Sequence, residues 1–130
     1  MPVLTERRGR VLLVRLDRDA KLNAMDHAMT LGLDAAMNLL DDDVELWAGV
    51  LTGNGRAFSA GSDLADPDRN STERGGPYGL IRRERRKPLI AAVDGLAFGG
   101  GFEMVLACDL VVASRRTRFA LPEVKRGLLA

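Results

Sequence analysis

At 130 residues the chain is long enough for one domain with a real core. Its 46% hydrophobic and 28% charged residues read as a soluble globular fold, and a formal charge of +1 gives no reason to expect nucleic acid as a partner. No apolar run is long enough to span a membrane, the start lacks the basic and apolar segments of a secretory signal, and the lone Cys108 cannot make an internal disulfide. A reducing compartment, the cytoplasm, is the expected location. The small net charge hides an asymmetry: residues 1–70 carry 8 basic and 12 acidic groups, residues 71–130 carry 11 and 6.

In chain order, residues 3–6 and 11–16 read as two short strands around a turn at Arg8-Gly9-Arg10. Asn23 is placed to cap a helix whose apolar positions, Met25, Met29, Leu33, Ala36 and Leu40, recur every three or four residues. Asp41-Asp42-Asp43 stops that helix as a solvated turn and lacks the alternating spacing of a calcium loop. Residues 46–52 form the next strand and end at the turn signal Gly53-Asn54-Gly55. Residues 65–78 are polar and rich in turn formers, a plain surface loop or a mobile lid. Residues 79–86 read as a basic helix, 89–93 as a core strand, 101–107 as a helix and 110–113 as a strand. The run after Glu123 approaches a further helix. Strands alternating with helices predict an α/β layer arrangement.

Four segments carry possible chemistry. The dense run Arg82-Arg83-Glu84-Arg85-Arg86-Lys87 is either a solvated face or a local site for ligand phosphates. Phe58-Ser59-Ala60-Gly61-Ser62-Asp63-Leu64 places small residues just past a strand, where successive amides can hold negative charge, or where Ser62 and Asp63 simply cap a short helix. Asp63 itself suits a structural acceptor. Gly99-Gly100-Gly101 exposes unpaired amides at a helix start or makes a plain glycine-rich turn. It has neither dinucleotide nor P-loop spacing. Glu103 and Glu123 stand 20 positions apart; if both flank one cleft, their repulsion raises at least one pKa toward the range of general acid–base work. His27, the single histidine, is too isolated for a zinc site or a histidine triad, and Trp47 and Phe119 are assigned to the core.

From about Val11 onward, these motifs in this order resemble the enoyl-CoA hydratase/isomerase, or crotonase, superfamily. The marks are residues 16–25, Leu51-Thr52-Gly53 with residues 58–64, Lys87-Pro88 running to Gly95, Gly99 to Glu103, and Phe119-Ala120-Leu121-Pro122-Glu123. The resemblance implies a crotonase-like ββα spiral of which residues 1–130 are the N-terminal part, its usual C-terminal part being absent. A truncated chain is then expected rather than a complete minimal enzyme. It implies an oxyanion hole from the backbone amides of Ala60 and Gly100, with Glu103 and Glu123 as the catalytic carboxylates. Lys21, Leu22, Ala60, Ser62, Asp63, Leu64, Gly99 and Gly100 would bind an acyl-CoA thioester. The reaction it implies is reversible hydration of a trans-2-enoyl-CoA to a 3-hydroxyacyl-CoA. The alternatives are a double-bond isomerase, with Glu123 as proton shuttle, and a non-catalytic acyl-CoA-binding paralogue or inactive fragment. Neither a metal nor a separate cofactor is implied, CoA being part of the substrate. The intact protein is expected to be a homo-trimer or a dimer of trimers.

Overall fold

The computed structural model describes residues 2–66 and 70–123, so the expected approach to a helix after Glu123 lies outside the described residues. The chain opens with a hairpin. Strands β1 (Val3–Arg8) and β2 (Val11–Leu16) pair antiparallel, with Val3 opposite Leu16, around Gly9 at φ +60°. Along β2, Leu12, Val14 and Leu16 point inward and are fully buried, the alternation of a strand covered on one face.

Helix α1 (His27–Asp42) covers that face with Met29, Leu33, Ala36, Met37 and Leu40. Its N-cap is Asp26, whose side chain accepts the Met29 amide at 2.9 Å, and not Asn23. Asn23 lies before the helix at φ +54°, fully buried, and is spent elsewhere. Its Oδ1 accepts the Arg18 amide at 2.6 Å, and its Nδ2 donates to the carbonyls of Asn54 and Ala57 at 2.9 Å each. The three aspartates at the other end belong to the helix and its cap rather than to a solvated turn. Asp42 pairs with Arg74 through both carboxylate oxygens, Asp43 with Arg7, and Asp41 is buried 3.6 Å from Arg83.

Next come β3 (Ala48–Gly53), β4 (Ala57–Ser59), the small hairpin β5 (Ser71–Thr72) with β6 (Gly76–Pro77), β7 (Leu89–Val93) and β8 (Leu96–Phe98). Helix α2 (Gly100–Leu106), β9 (Leu110–Ala113) and β10 (Arg118–Ala120) complete the described chain. A five-stranded sheet has the order β1-β2-β3-β7-β9, parallel from β2 onward, and a three-stranded parallel sheet runs β10-β8-β4. Each of β3, β7 and β9 in the large sheet is followed directly by its successor in the small one. The chain therefore advances as a spiral in which both sheets grow in the same direction.

The small sheet has no counterpart in the sequence reading, because three-residue strands are too short for a period-2 pattern. Nor is 79–86 a helix. It is a run of turns in which Arg83, Arg85 and Lys87 serve as internal donors: Arg83 to Asp34 at 2.6 Å, Arg85 to Asp109 at 2.8 Å, and Lys87 to Leu40 O in α1 and to the carbonyl of its cap residue Asp43 at 2.6 Å each. Three of the run's five cations are thus structural and turned inward, so the run is neither a solvated helix face nor a free set of cations for ligand phosphates. Trp47 and Phe119 are also not core: Trp47 is exposed under the Arg10 guanidinium, and Phe119 stacks at 5.0 Å on Phe102.

Asn23 supplies a first test. Replacing it by Ala leaves one amide and two carbonyls without partners at the crossing between the sheets, each worth about 1–3 kcal/mol when buried. Chemical denaturation of Asn23→Ala is expected to show a loss of about 3 kcal/mol; a loss under about 0.5 kcal/mol would mean that water replaces the clamp.

Candidate functional site

The site grows from the residues after β4. The amide of Ala60 donates to Leu22 O at 3.0 Å, that of Gly61 to Ser59 Oγ at 3.1 Å, and that of Asp63 to Met25 O at 2.9 Å. Of residues 60–63, Ser62 is the one whose amide has no intramolecular acceptor among the described residues. The parallel bridge between Met25 and Ser62 draws residues 22–25 alongside and consumes the Ala60 donor. The Ala60 amide, expected as an oxyanion donor, is therefore already spent on Leu22 O, and the amide left unspent beside it is that of Ser62. Asp63 meets its expectation as a structural acceptor: it takes the Ala65 amide at 3.0 Å and Arg18 at 2.8 Å, which together hold its carboxyl below the usual range.

Gly61 brings this strip against the start of α2, since a Cβ on Gly61 would stand 2.9 Å from the Gly100 nitrogen. The Gly100 amide opens the helix and likewise has no internal acceptor among the described residues. Two available amides thus belong to two segments that meet at Gly61. The glycine run is required by close approach: a Cβ on Gly99 would stand 2.7 Å from Glu123 Oε1, and one on Gly100 would collide with the Tyr78 hydroxyl.

Both glutamates arrive at the same place. Glu103 sits in the first turn of α2, its amide bonded to Gly99 O at 3.0 Å. Glu123 is delivered by β10, whose Ala120 carbonyl accepts the Gly99 amide at 2.8 Å. Glu123 Oε2 is buried without a hydrogen-bond partner among the described residues. Burial raises the Glu103 carboxyl above its ordinary range, and the charge of Glu123 adds to the shift.

Tyr78 is the residue that sequence reasoning missed. It is buried at φ +58°, a conformation that costs a bulky side chain about 1–3 kcal/mol. Its hydroxyl lies 2.7 Å from Ser62 Oγ. The one signal for it was an aromatic ring amid glycines, Gly75-Gly76-Pro77-Tyr78-Gly79, in a stretch otherwise read as a loop.

The sequence model of the enoyl-CoA hydratase/isomerase family matches residues 6–130. The chain belongs to that family. It is 40% identical over 127 residues to a mevalonyl-coenzyme A hydratase of Aspergillus fumigatus, covering 92% of this chain and 47% of that protein. It is 39% identical over 132 residues to the 2,3-dehydroadipyl-CoA hydratase of Escherichia coli, covering 98% of this chain and 52% of that protein. Among solved structures, an enoyl-CoA hydratase from Mycobacterium tuberculosis superposes with a TM-score of 0.93 at 45% identity, over 98% of this chain and 52% of that one. A carnitinyl-CoA dehydratase from Mycobacterium avium gives 0.92 at 42%, over 98% and 53%. The chain spans about half the length of these relatives. Its fold is their α/β crotonase spiral.

Within this family member, Lys21 and Leu22 lie beside the 60–64 strip through the Leu22 carbonyl, with Lys21 and Leu64 at its exposed rim. Cys108 is partly buried and its thiol is pushed up to about 11 by burial, so it stays protonated and takes no part in the site. The described residues hold no cluster of metal-ligating side chains, and none of their helices is long and apolar enough to cross a membrane.

The raised Glu103 pKa makes a prediction about stability. Folded chains bind that proton more tightly than unfolded ones, so the stabilisation is complete below the ordinary value of 4.5 and is lost as pH rises through the raised one. Glu103→Gln removes the loss. Thermal melts should show the variant melting above the parent near pH 8 and together with it near pH 4; equal melting at both would mean that Glu103 is fully solvated.

Proposed function

We propose that the protein hydrates the double bond of a trans-2-enoyl-CoA thioester, reversibly, to the 3-hydroxyacyl-CoA. Water's oxygen bonds to the β carbon and a proton is added at the α carbon, so one water is consumed and nothing is left over. In this reading the thioester oxygen sits between the amides of Gly100 and Ser62, and charge gathering there as the enolate-like state forms is stabilised more than the neutral carbonyl. A donor so placed is typically worth about 3–4 kcal/mol in the transition state. Glu103 and Glu123 act as a pair that positions and activates water and manages the α-carbon proton, without a microscopic assignment to either.

The observation that carries the reading is the convergence of two carboxylates on a pair of unspent amides, one carboxylate raised by burial and by the other. The names of the relatives support the same chemistry, several being CoA hydratases. The CoA portion would lie along Lys21, Leu22 and the 62–64 strip, with Gly99 and Gly100 under the acyl end. The reading calls for no metal and no redox cofactor, and it places the protein in the cytoplasm as a homo-trimer or dimer of trimers.

Loss of the conjugated enoyl-thioester absorbance with crotonyl-CoA tests it in the protein as the cell makes it. Glu103→Gln and Glu123→Gln should each lower turnover by roughly 10²–10⁴-fold while acyl-CoA binding survives. Binding without turnover in the unaltered protein would sink hydration. Loss in Glu123→Gln alone, with double-bond migration in a 3-enoyl-CoA, would favour the isomerase instead.

A further inference from the structure

The Tyr78 hydroxyl is placed with more care than a pocket wall needs. On one side its own amide is fixed to Asn70 O at 2.7 Å, and Asn70 Oδ1 is tied to α1 through Thr30 at 3.2 Å. On the other, the Gly79 carbonyl accepts from buried Arg83 at 3.0 Å, and Arg83 also grips Asp34 and Asn38 at 2.6 Å each. Gly79 has no room for a side chain, since a Cβ there would stand 2.7 Å from Asp34 Cβ. The short β5–β6 hairpin is bound to the same helix by Thr72 on Asp34 at 2.7 Å. A bulky residue in the left-handed region is thus clamped from both neighbours, and the clamp delivers one phenolic oxygen to the place beside Gly100 where a Cβ would stand.

That oxygen has one hydrogen-bond partner among the described residues, Ser62 Oγ. A phenol can both accept and donate. If Ser62 O–H donates to it, the Tyr78 proton remains to be given to a ligand, and donation by the serine strengthens that donor. Glu103 and Glu123 face the phenol, and burial together with their charge keeps it protonated.

We propose that Tyr78 is a further catalytic residue, donating its O–H to the thioester oxygen beside the Gly100 and Ser62 amides while Ser62 Oγ–H donates to the phenol. The assignment rests on the hydratase reading above and adds a third donor to it. It also gives the buried arginine a purpose: Arg83 is a positioning residue for the tyrosine, acting through Gly79.

The test uses the protein as the cell makes it, with Tyr78→Phe and Ser62→Ala, and two readouts. One is crotonyl-CoA hydration. The other is the red shift in absorption of a bound cinnamoyl-CoA, which reports polarisation of its carbonyl whether or not turnover follows. Tyr78→Phe is expected to lower kcat roughly 10–100-fold, at or below the usual effect of a lost oxyanion donor, with KM within about twofold and a smaller red shift. Ser62→Ala should lower kcat less, and the double variant should fall no further than Tyr78→Phe, because both act through one proton. An unchanged kcat and red shift in Tyr78→Phe, in an active parent, overturns the proposal and leaves the ring as a wall. A faster Tyr78→Phe overturns it in favour of a plug. A parent that binds cinnamoyl-CoA without any red shift removes the hydratase reading, and the third donor with it.

Discussion

Ala120 O accepts the Gly99 amide at 2.8 Å, and this bond closes the step between two strands that each lead to one carboxylate. It extends the parallel pairing of Ala120 with Phe98. One residue beyond Phe98 the backbone turns at Gly99 toward Glu103, and three beyond Ala120 it reaches Glu123. Because parallel neighbours run in the same direction, their ends coincide at one edge of the small sheet, and β4 brings residues 60–63 to that edge as well. A shift of one residue in this register would face every side chain the other way and separate the two glutamates. The site is therefore a property of the sheet edge rather than of any single loop.

Placing two carboxylates at one edge works against stability. Glu103 is raised by burial and by Glu123, and Glu123 Oε2 is buried with no hydrogen bond to compensate it among the described residues. The fold accepts this and the left-handed tyrosine, and it carries other departures too: both buried carboxylate oxygens of Asp41 and the Nδ2 of Asn70 lack hydrogen-bond partners among the described residues. Its buried arginine is paired with Asp34 and Asn38, and its buried asparagine is bonded at both ends of the amide. The raised carboxyl of Glu103, the unpartnered Glu123 oxygen and the left-handed tyrosine nevertheless share one place, which makes it the candidate for chemistry.

Much of this was legible beforehand where the signal is local. The apolar spacing from Met29 to Leu40 and the nearly continuous apolar runs of β2 and β7 announce a half-buried helix and covered strands. The two glutamates and the glycine run stand out by type and position. What escaped is what depends on distant partners. Whether Asn23 caps a helix or staples two strand ends is decided by the carbonyls of Asn54 and Ala57, more than thirty residues away. Whether Ala60 or Ser62 offers its amide is decided by Leu22 O and the Met25 bridge. Arg83 reads as one cation of six consecutive polar residues until Asp34 is seen beside it. Tyr78 is invisible without the hairpin that holds it.

Helix α2, which carries Glu103, and the strand β9 that follows it have an open outer face. Leu106 in α2 and Leu110 and Val112 in β9 are each more than three-fifths exposed, and all four residues of β9 lie open at the edge of the large sheet. Apolar area of this kind gains free energy on burial at about 25 cal/mol per Å², so the face favours being covered. Helix α2 is meanwhile held on its inner side by Met104 and Val105, with Phe102 packed partly against the core. A catalytic group displaced by about 1 Å can lose about 100-fold in rate. Covering the outer side of α2 and β9 would therefore stabilise the protein and set the position of Glu103 in the same act, which couples the packing of that face to the geometry of the candidate site.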